Sequence, residues 1–131
     1  PWTTLDDYLG MLVWIRSHGL IPSTPGVQMS IRLLVPPSSA LLDHPDVESW
    51  RGKLDAANFT WRWAHPDPRM DDLARQVARI AEDADEDADP WVVFAGVERA
   101  AYTVAGQTAP VHPRPTFLPP SPPRLTENWF C

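Results

Sequence analysis

Arg32 is the one charge inside an otherwise apolar run, residues 27–35, Val-Gln-Met-Ser-Ile-Arg-Leu-Leu-Val. A guanidinium there must reach water or a structural ion pair, or else meet an internal ligand such as a carboxylate, because an unpaired charge in an apolar setting is costly. His44, His65 and His112 lie near carboxylates and prolines, and with Asp67 they carry the donor types of a metal site. Their spacing follows no ligand template, so structural or surface roles are expected for each. Six of the eight residues in 82–89 are acidic, but the run lacks the glycine turn and alternate-position ligands of a calcium loop. It reads as a solvated loop or helix end. Trp61 and Trp63 alternate with polar residues, a spacing that can stack bases or sugars; in an acidic chain the expected use is to cover a core. The one cysteine, Cys131, excludes an internal disulfide framework and any multi-cysteine metal or iron–sulfur site built from this chain alone.

These side chains need elements to hold them. Thr3 and Thr4 precede Asp6 and Asp7, a cap followed by acids in a first helical turn. Leu5, Tyr8, Leu9, Leu12, Val13 and Ile15 then recur at three- and four-residue steps up to Gly19, so an amphipathic helix is predicted over 5–18. Pro22, Pro25 and Gly26 mark a turn, and 27–35 reads as a strand closed by Pro36-Pro37. Helix, loop and strand make half of a βαβ repeat, and a preceding strand is expected upstream of Pro1. Asp43-His44-Pro45-Asp46 is a turn, 47–54 reads as a short helix interrupted by Gly52, and 58–63 as a short half-buried strand or extended arm. His65-Pro66-Asp67-Pro68 is an extended linker. Met70, Leu73, Val77 and Ile80 form the stripe of a second helix that fades near Ala84. A third is predicted over 91–105, opened by Pro90 and stopped by Gly106, with Trp91, Phe94, Val97, Ala101 and Val104 as its buried face.

The length, 131 residues, suits one ordinary domain, and a hydrophobic content of 44% suffices for a modest core. Of 16 prolines, seven follow Gly106, which divides a folded body from a Pro-rich tail. A formal net charge of −6 and the absence of a basic cluster argue against a nucleic-acid partner. No apolar run approaches the roughly 18 residues of a membrane span and no charged-then-apolar leader is present, so a cytoplasmic protein with no membrane partner is expected. Residues 119–124, Pro-Pro-Ser-Pro-Pro-Arg, form a polyproline II segment, either a ligand for an aromatic groove or an ordered spacer that lays the last residues on the body. The chain closes on Trp129-Phe130-Cys131, an ending that either docks on the body or carries a reactive thiol.

The stretch Pro1-Trp2-Thr3-Thr4-Leu5-Asp6-Asp7-Tyr8 and the stretch 28–42, Gln-Met-Ser-Ile-Arg-Leu-Leu-Val-Pro-Pro-Ser-Ser-Ala-Leu-Leu, resemble the late barrel of a radical SAM protein. More closely, with Trp63-Ala64-His65-Pro66-Asp67-Pro68-Arg69-Met70-Asp71 and the closing Trp129-Phe130-Cys131, the chain is similar to the C-terminal part of the CUAEP/CCAEP-tail radical SAM (seleno)proteins. The resemblance implies an α/β fragment: residues 1–45 as the last αβ unit of a partial barrel, 46–105 as a mostly helical extension, and 106–131 as a Pro-rich tail ending at a truncated Cys-(Sec/Cys) motif. It implies that 27–35 is the sixth barrel strand, with Gln28, Ser30 and Arg32 close to SAM or substrate and Arg32 suited to a carboxylate or phosphate. Cys131 would be half of a redox pair, a catalytic role. The Cys-x₃-Cys-x₂-Cys set for a [4Fe–4S] cluster is not in this chain, so the cluster, most of the SAM site and the family's cobalamin region would belong to an upstream barrel of the same protein. The chain alone is then expected to bind no cofactor and to be inactive, with a small-molecule or peptide substrate left unspecified. The competing expectation is a small interaction module that binds a partner through its Pro-rich tail.

Overall fold

A capping box fixes where the first helix starts. In the computed structural model, which describes residues 1–31, 33–85, 87–113 and 116, Thr4 Oγ1 accepts from the Asp7 N–H at 3.1 Å, and the Asp7 carboxylate accepts from the Thr4 N–H at 2.9 Å. Two otherwise orphaned amides are thereby satisfied, and helix α1 runs Leu5–Ser17. It ends at Gly19, whose φ of +66° lets its N–H turn back to the Arg16 carbonyl while the Leu20 N–H reaches Ile15. Helix α2 (Pro68–Glu82) and helix α3 (Pro90–Val104) each start with proline at the first position, behind a capping aspartate, Asp67 and Asp89 respectively. Gly106, at φ +71°, closes α3 with the same pair of back-bonds, to Thr103 and, from Gln107, to Tyr102.

The apolar stripes of these helices meet in one core. Leu12, Leu73, Val77, Phe94, Val97 and Ala101 are buried there with Ile21 and Met29 from the turns after α1. Each fully buried Leu, Val, Ile, Met or Phe contributes about 1.5–3 kcal/mol relative to exposure. Val13, expected on the buried stripe of α1, is exposed instead. Residues on both sides of position 45 share this core, α1 packing directly on α3.

The expected strand over 27–35 is not formed. Gly26–Met29 is a 3₁₀ turn wedged against α2 and α3, where a Cβ on residue 26 would stand 3.0 Å from Val93 Cγ1. Tyr8 holds the turn closed, its hydroxyl donating to the Met29 carbonyl at 2.7 Å. A carbonyl taken up by a side chain beneath a helix cannot enter a sheet ladder, and the burial of Met29 in the helical core outweighs the β propensity of the run. Beyond Arg32, which lies outside the described residues, the chain straightens.

The sheet forms later in the chain. Strand β1 (Arg51–Asp55) pairs antiparallel with strand β2 (Thr60–Trp63), with Leu54 opposite Trp61 and an irregularity between Arg51 and Leu54. The helix expected over 47–54 is thus replaced by a 3₁₀ turn, Val47–Ser49, and a strand, because Trp50 is drawn under the sheet. The half-buried strand expected over 58–63 is present as β2. Residues 33–35 run along the other side of β2: the Trp61 N–H donates to the Val35 carbonyl at 2.7 Å, and the Val35 N–H donates to Thr60 Oγ1 at 3.2 Å. Val35, Val47 and Trp50 form a second, smaller core under Leu33, Leu41, Leu42, Trp61 and Trp63.

The fold is therefore mixed α/β, three α-helices and a two-stranded antiparallel sheet, with no parallel barrel strand among the described residues. No helix among them is long and apolar enough to cross a membrane. The polyproline segment 119–124 and the ending 125–131 lie outside the described residues.

Candidate functional site

Of the residues singled out for chemistry, Gln28 and Ser30 lie on the turn under α1, and Arg32 and Cys131 lie outside the described residues. The Gln28 N–H donates to the Pro25 carbonyl at 2.9 Å and the Ser30 N–H to the Val27 carbonyl at 3.2 Å, so backbone bonds set both positions. Gln28 is exposed and Ser30 half-buried, on either side of the buried Met29. Burial pushes the Tyr8 phenol well above its ordinary value, which keeps it a neutral donor to Met29 at any physiological pH. What the geometry makes here is a closed turn, tied by Tyr8 to helix α1, with Gln28 exposed on it and Ser30 half-buried.

A shallow cleft of ≈ 300 Å³ opens at the N-terminus of α1, lined in part by Thr4, Asp6, Asp67, Arg69 and Gln107. Its two strongest charges are committed to each other: Arg69 Nη2 donates to Asp67 Oδ2 at 2.6 Å and Nε to Oδ1 at 3.0 Å. The Arg69 guanidinium, with the Arg69 backbone N–H, holds the Asp67 carboxyl below its usual value. Neither group is free to act as a general acid or base in the neutral range.

The residue that local reading missed is Glu98, the buried charge of the structure's described part. Arg16 of α1 grips its carboxylate from two nitrogens, and His112 Nε2 approaches Oε1 at 3.7 Å. Glu98 falls on the same helical stripe as Phe94 and Ala101, and a carboxylate on a buried stripe is the signal that a partner cation is present. Nothing in the local sequence names Arg16, 82 positions away.

The three histidines are separate. The His44 ring lies tilted at 56° against Trp2, centres 4.8 Å apart, His65 Nδ1 accepts from the Asp67 N–H at 2.9 Å, and His112 sits beside Glu98. Among the described residues no three His, Cys, Asp or Glu side chains are grouped to hold a metal ion. Asp89 of the acidic run caps α3. Trp61 and Trp63 serve the small core: Trp63 Nε1 donates to the Leu33 carbonyl at 2.9 Å, and the Arg51 guanidinium lies 5.0 Å from the Trp61 ring centre. Comparison with protein-family models, curated proteins and solved structures finds no match to this chain.

Proposed function

We propose that the chain is the C-terminal part of a radical SAM enzyme and that it serves there as a packing and substrate-facing element with no catalytic centre of its own. The sequence resemblance of residues 1–8 and 28–42 is the origin of this reading. The observation that carries it is the buried hydrogen bond from Tyr8 to Met29, which joins those two stretches into one unit although 21 positions separate them.

A [4Fe–4S] cluster does not fit the donor set of this chain, since one cysteine cannot supply three thiolates. The cluster and the SAM chemistry belong, in this proposal, to the upstream barrel, as does any cobalamin. What these residues contribute is a surface. Both backbone groups of Val35 turn toward β2, so in an extended segment those of Leu34 turn the opposite way, and the Leu34 side chain is exposed. That edge suits a strand from the rest of the protein. Gln28 and Ser30 precede it in the chain, and Arg32 lies between them and Leu34 in sequence, a residue type suited to a carboxylate or phosphate.

The test is the reading frame upstream of the Pro1 codon and its product. An in-frame Cys-x₃-Cys-x₂-Cys, and formation of 5′-deoxyadenosine from SAM by the anaerobically reconstituted longer protein under a low-potential reductant, is the expected result. A start codon adjacent to Pro1, or a longer product without that cysteine set, overturns the proposal.

A further inference from the structure

The buried carboxylate of Glu98 on α3 is met from two elements. Arg16, in the last turn of α1, donates from Nε to Oε1 at 3.2 Å and from Nη2 to Oε2. His112, in the segment that follows α3, brings Nε2 to 3.7 Å from the same Oε1. A carboxylate oxygen accepts more than one donor, so Arg16 does not exclude the ring. Little else ties that segment down. Gly106 and Gln107 close α3 on Thr103 and Tyr102, after which residues 108–113 make no backbone hydrogen bond to a described residue. Val111 is 96% exposed, and among these residues only Ala109 is half-buried.

How firmly that point holds depends on a proton. At 3.7 Å a neutral imidazole is beyond hydrogen-bond reach of Oε1 and contributes little. An imidazolium at the same distance forms an ion pair with a carboxylate side chain that is 5% exposed, where water screens less than at the surface. Histidine is the side chain type that makes this change between about pH 5 and 8. The charges around the ring decide the sign. Arg16 of α1 opposes a second cation, but it is the better solvated of the pair, 19% exposed against 5%, so its repulsion is the more screened. On α3, Arg99 is exposed and Tyr102, one turn beyond Glu98, is half-buried. The turns 21–23 and 26–29 that pack on α3 carry no titratable side chain. On α2, Arg69, Asp71, Asp72 and Arg75 are bound to Asp67, the His65 N–H and each other.

We propose that His112 is a proton-operated latch: protonated, its ring fastens residues 108–113 to the Arg16–Glu98 pair where α1 meets α3, and neutral, it lets the segment go. Acidification closes the strap and alkalinisation opens it. The inference does not depend on the proposed enzyme; it concerns only how the chain leaves its helical core after α3.

Nitrogen-15 relaxation of the full chain reads the latch directly. Backbone order parameters of Thr108, Ala109, Val111 and His112 are expected near 0.85 at about pH 5 and below about 0.6 at about pH 8, with those of α1 and α3 unchanged. His112→Gln carries no charge at either pH and should leave the four amides below about 0.6 throughout. Since the His112 side chain is 36% exposed and outside both cores, this variant keeps the fold and the test remains decisive. Arg16→Met combined with Glu98→Met, which removes the carboxylate without stranding a charge, should abolish the response in the same way. Equal order parameters at the two pH values in the native chain overturn the proposal. So does a response that survives His112→Gln, which would belong to another group, or one that survives the paired change, which would remove Glu98 as the anchor.

Discussion

Arg16 of α1 and Glu98 of α3 form a two-point ion pair across the helical core, Nε to Oε1 at 3.2 Å and Nη2 to Oε2 at 2.5 Å. The carboxylate side chain is only 5% exposed and the guanidinium 19%, and Arg16 also lies 5.0 Å from the centre of the Phe94 ring. Removing one partner strands the other as an unpaired buried charge, at a cost of about 3 kcal/mol. Arg16→Met should therefore lower the urea midpoint strongly, whereas Arg16→Met combined with Glu98→Met should recover most of the loss. Equal effects of the single and double changes would show that the pair is not coupled.

Asp7, Asp55 and Asp67 are held below their usual values, Asp7 chiefly by the Thr4 backbone N–H, Asp55 by the Asn58 side chain and then Arg62, and Asp67 by the Arg69 side chain. A carboxyl with a depressed folded-state value binds fewer protons folded than unfolded. Its contribution is therefore complete above the unfolded value near ~3.9 and is lost as pH falls through the folded one. Thermal midpoints should be level from neutral pH down to about 5 and decline below about 4. Replacing all three aspartates with asparagine should flatten that decline; an unchanged acid limb would assign it to other groups.

Tyr8→Phe deletes a donor and leaves the buried Met29 carbonyl without its partner. The expected loss is about 1–2 kcal/mol, the cost of an unsatisfied buried acceptor. Amide exchange should rise most at Gln28 and Ser30, whose N–H groups close the turn that Tyr8 pins. Faster exchange confined to the hairpin would contradict this.

Two backbone positions should respond in opposite directions. Gly19 has φ +66°, so Gly19→Ala places a Cβ in the left-handed region and should cost about 1 kcal/mol. Phe59, exposed at the end of the hairpin loop, occupies φ +52° with a bulky side chain. Phe59→Gly should raise stability by about 1 kcal/mol by relieving that strain. A loss on Phe59→Gly, in chemical denaturation, would show that the ring has a contact of its own.

The helices were legible because their signals are local. Thr4 with Asp7, Asp67 with Pro68 and Asp89 with Pro90 announce starts, and Gly19 and Gly106 announce stops, all within a few residues of the periodic stripes they bound. The run 27–35 was misread because a short apolar stretch has no period that separates strand from buried turn. What decided it was the Tyr8 hydroxyl, brought from another element. The hairpin was half visible: β2 shows alternation, whereas β1, Arg-Gly-Lys-Leu-Asp, has little β propensity and forms only because β2 and Trp50 hold it. At the candidate site, Gln28 and Ser30 could be placed from sequence only as neighbours in the chain. The Arg16–Glu98 pair, closed by tertiary packing, was beyond local reading.

The distribution of tryptophan gives the two cores separate optical signatures. Trp50, Trp61 and Trp63 belong to the small core and Trp2 lies 5.9 Å from Trp50, whereas among the described residues the helical half carries Trp91 at its core margin and Trp14, already exposed on α1. Indole emission during denaturation therefore follows chiefly the hairpin half, and far-ultraviolet circular dichroism follows the helical half. Superimposable curves would mean that the halves melt together, tied through residues 30–35 and 64–67; divergent curves would make each half a cooperative unit with its own midpoint.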